Sequence, residues 1–212
     1  MKKEIDLLCF PRVERELGRR TDKHRAVAQR FDKEFFDGKR ETGYGGYVYD
    51  GRWQKVALRM LLHYRLAEGL SSVLDVGCAK GFLVRDFRAL GIRAYGIDVS
   101  EYAIGASEAP LHTLVGDARD LAAPAWQLPP VDLIVSINTL HNLVKGELAA
   151  VLQAMMRLSR YQYITLDAYR DENERERMLA WNLTAKTIMH VDEWRAFFED
   201  VGYTGDYSWF TP

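Results

Sequence analysis

The sequence predicts an α/β protein: a doubly wound, mostly parallel sheet of six or seven strands with an N-terminal extension of helices and a lid-like loop. Three observations predict it. A short apolar run, Val73 to Val76, breaks into a glycine-bearing turn, Gly77 to Gly81, and resumes as an amphipathic segment from Phe82. That is the strand–loop–helix arrangement in which backbone amides approach a ligand closely. A second strand-like run, Ile92 to Asp98, ends in an acid twenty-one residues after Gly77. Finally, strand-like and helix-like segments alternate from residue 72 to residue 201, as a parallel sheet with crossover helices requires.

Taken in order, residues 24–36 place Val27, Phe31 and Phe35 four apart and predict a helix. Residues 39–52 are too rich in glycine for a regular helix. Trp53, Val56, Ala57, Met60, Leu61 and Tyr64 then mark an amphipathic helix. Strand 1 is expected near 72–77 with its helix at 81–90, and strand 2 at 92–97 with a short helix from about 101. Strand 3 falls near 111–115, and strand 4 at 131–137. The following helix, 146–158, carries Leu148, Val151, Leu152 and Met155 on one face, and strand 5 at 161–167 alternates in period two. A charged helix is expected at 171–183 and another at 191–201, burying Trp194, Phe197 and Phe198. The stretch from Gly202 to Phe210 reads as one last strand, bent at Gly205, with room for a further short strand near 186–190. The chain thus divides into residues 1–70, helices and lid, and residues 71–212, the ligand-binding core.

The loop spacing selects among adenosine cofactors. A dinucleotide fingerprint needs a third small residue where Phe82 stands, and no Gly-Lys-Ser/Thr triplet supplies a phosphate loop. The spacing that fits is Asp75-x-Gly77-x-Ala79-x-Gly81. It resembles motif I of the class I S-adenosylmethionine-dependent methyltransferases, a Rossmann-like family, with alanine in place of the middle glycine. Three further stretches resemble later motifs in the same order: Gly96 to Ser100, Val115 to Ala118, and Asp132 to His141. The resemblance covers roughly residues 70–170. It implies S-adenosyl-L-methionine as cofactor and S-adenosyl-L-homocysteine as product. It further implies Asp98 on the ribose hydroxyls, with Val99 beside it, and Asp117 on the adenine amine, with Ala118 offering a backbone amide. Asp75, Gly77, Cys78, Ala79, Gly81 and Asn138 complete the expected cofactor site.

Composition sets the remaining bounds. The chain has 212 residues with 48% hydrophobic content, enough for one domain with an appendage. Its two cysteines allow neither a disulfide framework nor a zinc site, so a reducing, cytoplasmic setting and no metal are expected. No signal peptide or membrane span is evident. Residues 1–70 hold 16 Lys/Arg against 11 Asp/Glu, and the rest reverses the balance, 13 against 19. That excess is mild beside a nucleic-acid binder's, so the expected partner is a small-molecule acceptor, and the protein a monomer or homodimer.

Methyl transfer is an in-line displacement governed by orientation, and an acceptor hydroxyl also needs a base. His141, three residues past Asn138, is the leading base, because an imidazole titrates near neutrality. His190, at the start of the 191–201 helix, is the second. Asn138-Thr139-Leu140-His141 lacks the prolines and aromatic of amine-methylating DNA enzymes, and no Pro-Cys dipeptide serves cytosine C5. Tyr44, Tyr47, Arg52 and Trp53 belong to a Gly/Tyr-rich segment that can fold over cofactor and acceptor. Trp181, Asn182 and Lys186 are expected on the opposite wall. The reading is O-methylation of a small polar, anionic metabolite. Its alternatives are N-methylation of a small amine, amino acid or guanidino compound, methylation of RNA or protein, and a non-catalytic cofactor-binding or partner module.

Overall fold

Alternate residues along the central strands are buried on opposite faces, and this builds the layers. Val73 of β1 (Ser72–Val76) and Leu133 and Val135 of β4 (Val131–Ile137) enter one cluster, with Met60, Leu83 and Phe87. Leu74, Val76 and Ile134 enter the other, with Leu152, Met155, Trp194 and Phe198. A sheet apolar on both faces must be covered by helices on both. The structure, a computed structural model, describes residues 3–11, 20–123 and 131–211.

The remaining strands are β2 (Arg93–Asp98), β3 (Thr113–Val115), β5 (Ser159–Tyr169), β6 (Met189–His190) and β7 (Asp206–Phe210). The helices are α1 (Asp22–Ala28), α2 (Lys33–Phe36), α3 (Arg52–Tyr64), α4 (Phe82–Ala89), α5 (Glu101–Gly105), α6 (Lys145–Leu158), α7 (Glu172–Trp181) and α8 (Val191–Val201). The sheet runs β3-β2-β1-β4-β5-β6, with β7 also on β5. The single sheet has the seven strands at the upper end of the expectation, and all its strand pairs are parallel. Among the described residues no helix is long and apolar enough to cross a membrane.

Two elements depart from the sequence reading. The helix expected over 24–36 is two short helices, because Phe31 adopts a left-handed backbone (φ 49) and Asp32 caps a new start, accepting from Glu34 N at 2.9 Å. The chain also closes with two strands of the same sense rather than one. β6 pairs with Ala168 and Tyr169, and β7 with Tyr163–Asp167, both parallel to β5. The 11-residue α8 between them returns the chain to the other end of the sheet, so β7 re-enters in the same direction.

The N-terminal segment is woven into this sheet. Ile5 N–H donates to Tyr207 O at 2.8 Å and Tyr207 N–H to Lys3 O at 2.9 Å, a parallel bridge on the free side of β7. Asp206 gathers Lys3 N at 3.0 Å, His63 Nε2 at 2.9 Å and the Tyr64 hydroxyl at 3.1 Å.

Candidate active site

The carboxyl ends of β1, β2, β4 and β5 open into one cleft of about 1440 Å³. That exceeds the ~300–1,000 Å³ typical of single small-ligand pockets, so two molecules can share it.

One half is built on the loop after β1. Gly77 has φ +83, and a Cβ there would lie 2.1 Å from Thr139 Oγ1, so only glycine lets the loop pass beneath the segment after β4. Gly96 makes the same kind of room, since its Cβ would meet Cys78 Cβ and Sγ at 2.7 Å. Gly77 lines the cleft, and Gly96 lets the side chain of Cys78 pack behind it. Ala79 is left-handed (φ 49), and its N–H donates to Asp98 Oδ2 at 2.8 Å. Ser100 N–H donates to Asp98 Oδ1 at 2.9 Å. Asp98 is therefore fixed at the strand end, with burial pushing its pKa up and the two amides opposing that shift. Asp75 is 4% exposed, and burial together with the neighbouring Asp98 charge pushes it up to about 8. Burial and both aspartates drive the Cys78 thiol well above its usual range.

Val99 and Ala118 line the rim, and Asp117 faces the cleft while its carboxylate accepts from Arg119 Nε at 2.9 Å. That bond with Arg119 holds Asp117 below the usual carboxylate range. Gly81 belongs to the expected cofactor set as well. It stands behind the loop, where a Cβ would meet Ser107 Oγ at 2.7 Å and Thr113 Cγ2 at 3.0 Å, and is absent from the cleft lining. Its task is close packing of the α4 start.

The other half joins β4, β5 and the segment after α7. Asn138 is left-handed (φ 52), with its N–H 2.8 Å from Thr165 Oγ1 and its carboxamide oxygen accepting that hydroxyl at 2.7 Å. His141 is 4% exposed and lines the cleft. Its Nδ1 lies 3.2 Å from Asp167 N and 3.4 Å from Asp167 Oδ1. Burial lowers the His141 pKa and the Asp167 charge opposes the shift. Asn182 Nδ2 donates to Asp167 Oδ2, while Asn182 Oδ1 accepts from Thr184 N at 2.9 Å and Ala185 N at 2.7 Å. The His141 carbonyl accepts from Lys186 N at 2.9 Å and Thr187 N at 3.0 Å.

His190, the second expected base, lies elsewhere. It caps α8, its Nδ1 accepting from Asp192 N at 3.2 Å, while Nε2 contacts the Arg170 carbonyl at 2.9 Å. Both ring nitrogens are spent on backbone, and the residue does not line the cleft.

Tyr44, Tyr47, Arg52 and Trp53 all line the cleft, as do Trp181, Asn182 and Lys186 opposite. Tyr47 stacks on Phe82 at 4.9 Å and 15°, and meets Tyr44 at 4.6 Å. Burial, with Tyr44, Asp75, Asp98 and Cys78 nearby, raises the Tyr47 phenol well above its usual range. Arg52 Nε donates to Asp50 Oδ2 at 2.7 Å, so its fork already holds a carboxylate of the chain.

Sequence reasoning missed Asp37, Lys80 and Thr165, and weighed Asp167 only as too little, with Asn138, for a metal site. Asp37 accepts from Lys80 Nζ at 2.7 Å, from the Tyr102 hydroxyl at 2.6 Å and from Tyr47 N at 3.0 Å. Asp167 lies two residues before the carboxyl end of β5 and closes the strand as expected from sequence, 161–167, so the rule that picked out Asp75 and Asp98 would have found it; Asp37 and Lys80 are 43 residues apart and carry no such signal. Among the described residues no group of His, Cys, Asp and Glu is arranged to hold a metal ion.

A methyltransferase domain family matches residues 74–162. No curated protein matches the chain. A methyltransferase dependent on S-adenosylmethionine from Archaeoglobus fulgidus is 20% identical with TM-score 0.55, over 80% of this chain and 72% of that one. The magnesium protoporphyrin IX methyltransferase of Synechocystis, solved with bound S-adenosylhomocysteine, is 19% identical with TM-score 0.51, over 74% of this chain and 78% of that one. A chain from the complex of the Haloferax volcanii Trm112 methyltransferase activator with a putative methyltransferase is 22% identical with TM-score 0.52, over 72% and 73%. These likenesses show a common fold. The stretch similar to a methyltransferase domain, residues 74–162, is the part of that fold that holds the ordered motifs.

Proposed function

We propose that the chain transfers a methyl group from S-adenosylmethionine to a hydroxyl oxygen of a small polar acceptor. The observation that carries this reading is one continuous cleft with the Asp75/Asp98 half and the His141/Asp167 half side by side. The residues fit the cofactor: a close loop passage at Gly77, and an Asp98 carboxylate held by two amides. When bound, the cofactor supplies an electrophilic methyl on a sulfonium.

The chain's own residues do the rest. Asp98 accepts from the ribose hydroxyls, and Asp117 faces the adenine amine. Asp75, buried and in want of a cation, meets the cofactor's ammonium. Tyr44, Tyr47 and Trp53 close the open side and exclude water, which strengthens every charge inside. His141, kept neutral by burial, takes the acceptor proton at Nε2. The hydrogen bond formed at Nδ1 is an acceptance from the Asp167 N–H at 3.2 Å, which leaves the proton of the neutral ring on Nε2. To act as base the ring must first carry its proton on Nδ1, facing Asp167 Oδ1 at 3.4 Å. A base oriented by a buried carboxylate has the logic of a catalytic triad. The open acceptor half favours catalysis over a silent binding module.

One observation favours methylation of an amine: Asp167, Asp171, Glu174 and Trp181 line the same half. A panel of hydroxy and amino acceptors with isotopically labelled methyl donor separates the two readings. His141→Gln should cut turnover about 10²–10⁴-fold on hydroxyl acceptors with cofactor affinity intact. Unchanged turnover overturns the base, and failure of S-adenosylhomocysteine to bind in calorimetry overturns the whole reading.

A further inference from the structure

Beside the cleft lies a second recess of about 450 Å³, lined by Val144, Lys145, Tyr169, Arg175, Lys186 and Glu193 among others. Three of its side chains are cationic and one is acidic. The acid, Glu193, is already engaged, accepting from His190 N at 2.9 Å. Arg175 holds Glu172 at 2.6 Å on its outer side. The nearby Glu147 is taken up by Arg119 Nη1 at 3.1 Å and Val144 N at 3.3 Å. Lys145 and Lys186 make no ion pair with any described residue. The acids around the recess are thus held by other donors, with Lys186 in electrostatic range of Asp117 and Glu147 but bonded to neither.

Its position matters more than its charge. Lys186 lines both the recess and the cleft. The backbone N–H groups of Lys186 and Thr187 are clamped on the carbonyl of His141 at 2.9 and 3.0 Å, and the Thr187 hydroxyl donates to Leu143 O at 2.7 Å. The wall that presents the ammonium is thus fixed to the residue that faces the reacting end. A group held at Lys186 has a defined distance to His141, which is what a substrate-orienting contact must provide.

We infer that this recess is the anion subsite of the acceptor: a phosphate on the molecule to be methylated sits among Lys145, Arg175 and Lys186 while its hydroxyl-bearing end reaches His141. The inference rests on reading the cleft as the methyl-transfer site. Three convergent cations suit the charge of a phosphate monoester better than a single carboxylate.

The test is an amide NMR titration of the protein loaded with S-adenosylhomocysteine, using inorganic phosphate as probe, with sodium acetate and sodium chloride at matched ionic strength as controls. Saturable shifts at Lys145, Arg175, Lys186 and Thr187 are expected with phosphate alone. The variant Lys145→Ala, at an exposed position outside the cleft lining, should weaken that saturation about tenfold and leave S-adenosylhomocysteine affinity unchanged. Shifts that rise linearly, that chloride or acetate reproduces, or that persist unweakened in the variant overturn the subsite. If the cofactor product binds but phosphate does not saturate, the subsite alone fails. If phosphate saturates and the cofactor product does not bind, the reading of the cleft fails.

Discussion

Lys80, between Ala79 and Gly81 in the loop after β1, holds the carboxylate of Asp37 at 2.7 Å, and so ties the N-terminal aromatic layer to the cofactor site. The same carboxylate takes Tyr102 and the amide of Tyr47, whose ring lies on Phe82. Its engagement with Lys80 and Tyr102 holds Asp37 below its ordinary pKa although burial works the other way. Asp37→Ala should therefore loosen residues 33–49 without unfolding the core. Hydrogen exchange there should accelerate, and S-adenosylhomocysteine affinity should fall about tenfold by calorimetry. Unchanged exchange in that segment would show that the latch holds nothing.

Ala79 adopts a backbone that L-residues avoid, at ~1–2 kcal/mol per residue. Ala79→Gly relieves it, less the ~0.4–1 kcal/mol of added freedom in the unfolded chain. A net stabilisation of about 0.5–1 kcal/mol is expected in urea denaturation. A destabilised variant would mean that the methyl group's packing outweighs the strain.

Gly77→Ala acts in the opposite direction. Its Cβ would fall 2.1 Å from Thr139 Oγ1 in a left-handed backbone. The loop or the segment after β4 must then move, with a loss of about 1–3 kcal/mol of stability. Cofactor binding should be lost while the far-ultraviolet dichroism is kept. Retained affinity would contradict the account of the loop passage at Gly77.

Asp75 makes the unliganded protein sensitive to alkali. Its folded pKa, raised to about 8 by burial and Asp98, lies above the unfolded value, so its contribution is intact at low pH and is lost as pH rises through about 8. Asp75→Asn should therefore be more stable than wild type at pH ~8.5 and lose that advantage near pH ~4, where the unfolded carboxyl also holds its proton. In calorimetry at pH ~7, cofactor-product binding to wild type should release a proton that the variant does not.

His141 has the reverse sign. Burial holds its folded pKa below the unfolded one, so its contribution is present above ~6.5 and is lost as pH falls through the folded value. Wild type measured against His141→Gln should look relatively weaker at pH ~5 than at pH ~8 in denaturant titrations. Parallel pH profiles would mean that the ring is not desolvated.

The parallel core was legible because each element carries its own periodicity. The helix over residues 191–201 and the strand over 131–137 fall where alternation places them. What escaped depends on contacts across the sequence. The two-residue β6 is too short to show a period, and the parallel sense of β7 follows from the crossover through α8 rather than from any residue within it. In the site, Asp75 and Asp98 were legible as acids ending strands. The packing of Gly81 was not legible because its partners, Ser107 and Thr113, lie elsewhere in the chain. The capping of α8 by His190 was not legible because a capping role and a cleft role present the same residue type at a helix start.

The short ribbon at Lys3–Ile5 covers the side of β7 that β5 leaves bare, and Arg195 pins it through Glu4 at 2.8 Å. Without it, Tyr207 would offer unpaired amide and carbonyl groups beside exposed aromatic surface, the template on which strands of separate molecules join. A segment that reads as a tail is thus a seal against self-association, and its loss would be felt first as insolubility rather than as lost catalysis.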